Sequence, residues 1–105
     1  MNIIDSSCWF EYLMDTEIGA SVAPVIENHG ELVVPTITLY EVYKKLLAEK
    51  GEEYALKVAS YMQTGKIIKL SENISLSAAQ ISLKYKTPMA DSIIYATSQY
   101  YSAVT

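Results

Sequence analysis

Residues 31–49, ELVVPTITLYEVYKKLLAE, change their apolar period partway along. Glu31–Val34 is a short apolar run with two β-branched valines, closed by Pro35, and reads as a buried strand. From Thr36 to Glu49 the apolar residues Leu39, Tyr40, Tyr43, Leu46 and Leu47 return at helical spacing. A strand that runs directly into an amphipathic helix is the repeating unit of an α/β domain. The alternation continues in both directions from this segment.

Upstream, Asn2–Ile4 reads as a short buried strand ending at Asp5, and Ser6–Met14 as a helix. Ile18, Val22, Val25, Ile26 and His29 then follow helical spacing, with Gly30 where a C′ glycine ends a helix. That places His29, the only histidine, at a helix C-terminus, where partial positive charge suits the dipole. Downstream, Gly51 punctuates, and Tyr54, Val58, Tyr61 and Met62 mark an amphipathic helix ending near Gly65. Lys66–Leu70 is a third strand, and Ser71 is the N-cap expected for a helix bearing Ile74, Ala78, Ile81 and Tyr85. Thr87-Pro88 reads as an N-cap followed by proline at the first helical position. The helix after it is expected to bury Met89, Ile93, Ala96, Thr97 and Tyr100, and Ser102–Thr105 reads as the start of another strand.

At 105 residues the chain suits a single domain, residues 1–105. Half the residues are apolar and 19% are charged, which is globular rather than disordered composition. Cys8 is alone, so no internal disulfide forms, and it is expected as a small core hydrophobe. The nine tyrosines sit mostly on helical stripes and read as core or dimer interface, while Trp9 and Phe10 suit either the core or a partner. No basic n-region precedes Asp5, and no run approaches the roughly 20 apolar residues of a membrane span. The expectation is a cytoplasmic protein.

The net charge is −4, and all eight basic residues are lysines. That excludes broad electrostatic attraction to nucleic acid. A chain of this charge acting on RNA would need metal ions and a local lysine patch. Lys44, Lys45 and Lys50, just beyond Glu41, are the best phosphate-contact candidates, against the plain alternative of a solvated helix face.

Three acids stand where strands hand over to helices. Asp5 follows the first strand, Glu41 lies in the first turns after the second, and Asp91 lies in the first turn after Pro88. In an open parallel sheet, functional groups gather outside the carboxyl ends of the strands. Each acid also has a structural explanation. Asp5 can cap a helix, Thr38 with Glu41 makes a T-x-x-E capping box, and Asp91 can favour a helix dipole. Together they are harder to explain so, because Asp5 and Asp91 both interrupt apolar surroundings. Two like charges about 5 Å apart repel by about 3 kcal/mol at an effective dielectric near 20. Clustered carboxylates therefore call for a cation, and oxygen ligands without paired His or Cys suit Mg²⁺ or Mn²⁺. Such an ion activates water and stabilises charge on a phosphoryl group, the chemistry of phosphodiester hydrolysis.

Asn2-Ile-Ile-Asp5-Ser6-Ser7, Val33-Val-Pro-Thr-Ile-Thr38-Leu-Tyr-Glu41-Val42 and Pro88-Met-Ala-Asp91-Ser-Ile-Ile-Tyr-Ala-Thr97 resemble, in that order, the first three motifs of PIN domains of the VapC toxin type. The resemblance covers essentially the whole chain. It implies a Rossmann-like, three-layer α/β sandwich with a short, mostly parallel sheet flanked by helices. It also implies homodimers, Mg²⁺- or Mn²⁺-dependent cleavage of RNA, and an antitoxin partner that blocks the site. Asp5, Glu41 and Asp91 fall on the family's metal-binding acids, Ser6 on its small hydroxyl position and Thr38 on its site-supporting threonine. The family also carries a further acid after a fourth strand. Here Asp91 is the only acid after Glu72, so the chain reads as lacking the last strand or helix. The rival expectation is a catalytically silent PIN-like module that dimerises and binds an antitoxin or another protein.

Overall fold

The computed structural model describes residues 1–101. Three strands, β1 (Asn2–Ile3), β2 (Leu32–Pro35) and β3 (Lys66–Ile68), form a sheet in the order β1-β2-β3. Both pairings are parallel, with Asn2 opposite Leu32 and Val33 opposite Lys66. Parallel strands need long crossovers, and helices supply them. Helices α1 (Ser6–Leu13) and α2 (Glu17–Glu27) join β1 to β2, and α3 (Thr36–Lys50) and α4 (Glu52–Met62) join β2 to β3. After β3 come α5 (Glu72–Tyr85), capped by the Ser71 hydroxyl on the Ile74 amide, and α6 (Met89–Tyr100).

All four residues of β2 are buried, as a strand covered on both faces requires. Side chains alternate across a strand, so neighbouring residues serve different cores. Leu32 and Val34 pack with Ile4, Trp9, Ile26, Val42 and Met62. Val33 packs with Ile3, Ile68, Ile74, Ile93 and Ile94. Thus α1–α4 cover one face of the sheet and α5–α6 the other, which is the expected three-layer α/β sandwich.

Several local expectations are corrected. Helix α2 ends at Glu27 with Asn28 as its C-cap, and Gly30 is not in the left-handed region. His29 therefore lies beyond the helix, with its ring edge-on to Tyr61 at 5.8 Å. The residues that do take a positive φ after helices are Asp15, Gly51 and Lys86, at 58°, 89° and 55°. Thr87 is not an N-cap. Pro88 takes that place without a side-chain bond, and the Thr87 hydroxyl pairs with that of Ser92 at 2.5 Å.

The buried side of α6 is Ser92, Ile93, Ile94, Ala96, Thr97 and Ser98, whereas Met89 and Tyr100 are exposed. The three hydroxyls can be buried because each donates to a carbonyl within reach, Ser92 to Pro88, Thr97 to Ile93 and Ser98 to Tyr95. None of the nine tyrosines is fully buried, but Tyr12, Tyr43, Tyr61 and Tyr101 are half-buried against the two cores, while Tyr40, Tyr54, Tyr85, Tyr95 and Tyr100 are exposed. The inward face of α3 is shifted from the expected one: Leu46 is buried and Leu39 and Tyr43 pack on the core as expected, but Thr38 and Val42 are buried too, and Tyr40 and Leu47 face solvent. Cys8 is half-buried at the edge of the core, beside fully buried Trp9. The strand read at Ser102–Thr105 lies outside the described residues.

Candidate active site

All three strands run the same way, so β1 and β2 deliver the chain to one edge of the sheet, where α1 and α3 begin. Asp5 stands at the first of these junctions and caps α1. Its Oδ1 accepts the Cys8 amide at 2.9 Å and the Ser7 hydroxyl at 2.9 Å. Burial alone would raise this carboxyl. The Cys8 amide, the Ser7 hydroxyl and the Cys8 side chain outweigh it and hold Asp5 below its ordinary 3.8, so the group is ionised at neutral pH. The same contact and burial push the Cys8 thiol up, away from a reactive thiolate. Ser6, the expected supporting hydroxyl, is the first residue of α1 and half-buried, but Ser7 makes the bond to Asp5. The signal for Ser7 was its place two residues after an aspartate, where a short hydroxyl reaches back.

Thr38 and Glu41 stand at the second junction, and they do not form a capping box. The N-cap of α3 is Pro35, which puts Thr38 inside the helix and fully buried. Thr38 Oγ1 and Glu41 Oε1 are both buried, and neither has a hydrogen-bond partner among the described residues. The two residues are three apart, hence neighbours on one helix face. An unsatisfied buried polar group costs about 1–3 kcal/mol, so two within one turn need a physical reason. Oxygen atoms exposed to neither solvent nor a protein donor suit a hard cation or a water held by one.

Asp91 lies in the first turn of α6 and is exposed. It lines a cavity of about 530 Å³ with Ile81, Tyr85, Thr87, Ser92 and Tyr95. Helix α3, which carries Glu41, packs against both α1, which Asp5 caps, and α6, which carries Asp91. The side chains do not converge fully. Among the described residues no three of His, Cys, Asp or Glu stand close enough to hold one ion.

The lysines pack on aromatic rings. Lys44 Nζ stands 5.6 Å from the Tyr40 ring centre and Lys45 Nζ 4.6 Å from that of Phe10. Lys45 and Lys50 line a groove of about 770 Å³ with Phe10, Leu13, Met14 and Tyr54. The one ion pair among the described residues joins the Met1 amino group to Glu31, so these lysines have no carboxylate partner there.

Comparison with known proteins adds the following. The family profile described as PIN domain matches residues 3–105. No curated protein sequence matches significantly. A chain of a toxin–antitoxin complex from Klebsiella pneumoniae superposes with a TM-score of 0.80 at 19% identity, covering 98% of this chain and 82% of the other. VapC20 of Mycobacterium tuberculosis, a sarcin-ricin loop cleaving toxin, superposes with a TM-score of 0.80 at 11% identity, covering 98% and 85%. At these identities the likeness is one of fold.

Proposed function

The chain belongs to the PIN domain family, and from that premise we propose that it is a metal-dependent endoribonuclease, the toxin of a toxin–antitoxin pair. The observation that carries the reading is the pair of buried oxygens on Thr38 and Glu41 that have no partner among the described residues. They lie on the helix packed between the one that Asp5 caps and the one that carries Asp91. Core packing gains nothing from that arrangement, whereas a hard-cation site does.

The donor set is carboxylate and hydroxyl oxygen, which suits Mg²⁺ or Mn²⁺ rather than zinc. Such an ion, when bound, supplies Lewis acidity and an activated water. Asp5, ionised and fixed through Oδ1, would hold it with Oδ2, because neither described bond to the carboxylate uses that atom. Asp91 would be the second main ligand, and Glu41 would assist directly or through water. The Thr38 hydroxyl would orient that shell. Lys44, Lys45 and Lys50, along α3 beyond Glu41, would steady RNA phosphates. The toxin assignment and the cognate antitoxin draw on the likeness to a chain of a toxin–antitoxin complex and to a second toxin, while the homodimer and the cytoplasmic setting are proposed from the sequence reading alone.

The test is cleavage of a panel of structured RNAs by the chain and by Asp5→Asn, with and without Mg²⁺ or Mn²⁺. Asparagine caps a helix as well as aspartate does, so the fold should survive. Metal-dependent cutting that falls by about 100-fold or more in the variant is expected, the scale of losing a metal's charge stabilisation at several kcal/mol. Undiminished cutting by Asp5→Asn would overturn the proposal.

A further inference from the structure

Resting on the nuclease reading, we infer that the cavity beside Asp91 is a base-stacking subsite that seats one unpaired RNA nucleobase against Tyr85 and Tyr95. Both tyrosines line the same cavity of about 530 Å³ as Asp91, one from the last turn of α5 and one from α6. Their side chains are 62% and 51% exposed, although each begins next to a packed helix–helix contact. Tyr95 is four residues after Asp91, which sets ring and carboxylate on one helix face, a turn apart. A base held on that ring would bring its own backbone phosphate toward the acid.

Three further observations favour a nucleobase as the occupant. The rest of the lining combines the Ile81 side chain with the hydroxyls of Thr87 and Ser92, an apolar surface with a polar edge. The Lys84 ammonium stands 5.2 Å from the centre of the Tyr85 ring, so a cation adjoins the aromatic surface as in single-strand binding grooves. Finally, the chain carries a net charge of −4 with no arginine, so phosphate attraction alone is a weak source of RNA affinity. Stacking does not depend on net charge and works on any base. It does require a base that is out of its helix, so the substrate class is a single-stranded loop or end rather than duplex RNA.

The test is binding of a fluorescein-labelled, unstructured ten-nucleotide RNA to the full chain carrying Asp5→Asn, followed by anisotropy in Mg²⁺. In that background Tyr85→Ala and Tyr95→Ala should each weaken binding by about fivefold or more, the low end of what one base–aromatic stack contributes. Tyr85→Phe and Tyr95→Phe should bind as the parent does, since the ring and not its hydroxyl carries the contact. In an RNA series with single abasic positions, the base whose loss weakens parent binding should no longer matter in the double alanine variant. Melting curves would confirm that these exposed substitutions leave the fold intact.

Alanine variants that bind as tightly as the parent would overturn the subsite and leave the nuclease reading standing. So would phenylalanine variants as weak as alanine. A sedimentation shift from dimer to monomer with RNA binding unchanged would also overturn it, by assigning the rings to a second copy of the chain. If the parent binds no RNA and the unsubstituted chain cuts none, the subsite and the nuclease reading fall together.

Discussion

The two faces of the sheet differ in what they leave unmatched. On the α1–α4 face, Trp9, Ile26, Val42 and Met62 make a dry core, and the groups left without partners are polar and buried, Thr38 Oγ1 and Glu41 Oε1. On the α5–α6 face the buried hydroxyls of α6 are all satisfied, and Tyr85 and Tyr95, both exposed, border one cavity with Asp91. A folding chain gains nothing from either kind of residue. A buried oxygen without a donor loses its hydration, and an exposed ring forgoes its burial. The contrast lies in the buried polar groups, which among the described residues are unpaired on α3 and paired on α6, and the unpaired ones are those that fit the proposed cation site.

The largest expected effect probes the first face. Asp5→Asn should abolish metal-dependent cleavage while keeping the cap, and Asp5→Ala should abolish it and also lower stability by about 1 kcal/mol through loss of that cap. Equal melting temperatures for the two variants would break the assignment of Asp5 to both roles. Next is Glu41→Leu, which should lose cleavage yet raise stability by about 1–3 kcal/mol in denaturant unfolding, because it removes a buried oxygen that nothing satisfies. A Glu41→Leu protein that is less stable than the parent would show that Glu41 is satisfied after all. Thr38→Val should behave alike at smaller amplitude.

Acid titration sharpens the same comparison. The Asp5 carboxyl is lowered in the folded state, so its contribution is fully present above its ordinary 3.8 and is lost as pH falls through the lower folded value. The stability advantage of the parent over Asp5→Asn should therefore shrink below about pH 4, read from urea midpoints across pH. A gap that widens on acidification would contradict the hydrogen bonds at Oδ1. The smallest effect belongs to Lys45→Met, which exchanges a cation over Phe10 for a thioether and should cost about 0.5–1 kcal/mol at most. A tenfold loss of RNA affinity in that variant would make Lys45 a phosphate contact.

Residues 31–49 show how far a sequence can be read. The passage from apolar run to helical period located β2 and α3 within a residue, since both periods are written locally. The inward side of α3 was read in part, Leu39, Tyr43 and Leu46 rightly, Tyr40 and Leu47 wrongly. Tyr40 and Leu47 outbid Thr38 on hydrophobicity, yet Thr38, like Val42, has no exposure. The capping-box reading of Thr38 and Glu41 failed for the same reason, because Pro35 had already opened the helix. A polar residue on a buried face breaks the rule that local patterning follows, and such breaks gather at functional sites. On α6 the misreading ran the other way, since Ser92 and Ser98 hide their hydroxyls on carbonyls of their own chain.

By itself the sequence determined the order of strands and helices, offered Asp5 as one candidate cap of α1, and implied through its family resemblance a mostly parallel sheet covered on both faces. The first two follow from interactions among residues close in the chain, and the third agrees with the rule that continuous apolar strands are buried on both sides. Only the tertiary structure decided that Thr38 and Glu41 turn inward without partners, that Ser7 rather than Ser6 steadies Asp5, and that Tyr85 and Tyr95 meet Asp91 around one cavity. Those facts depend on how α3 rotates between α1 and α6 and on how α5 lies against α6. The rotation of a helix is set by all the surfaces it packs against at once, and no stretch of chain contains that sum.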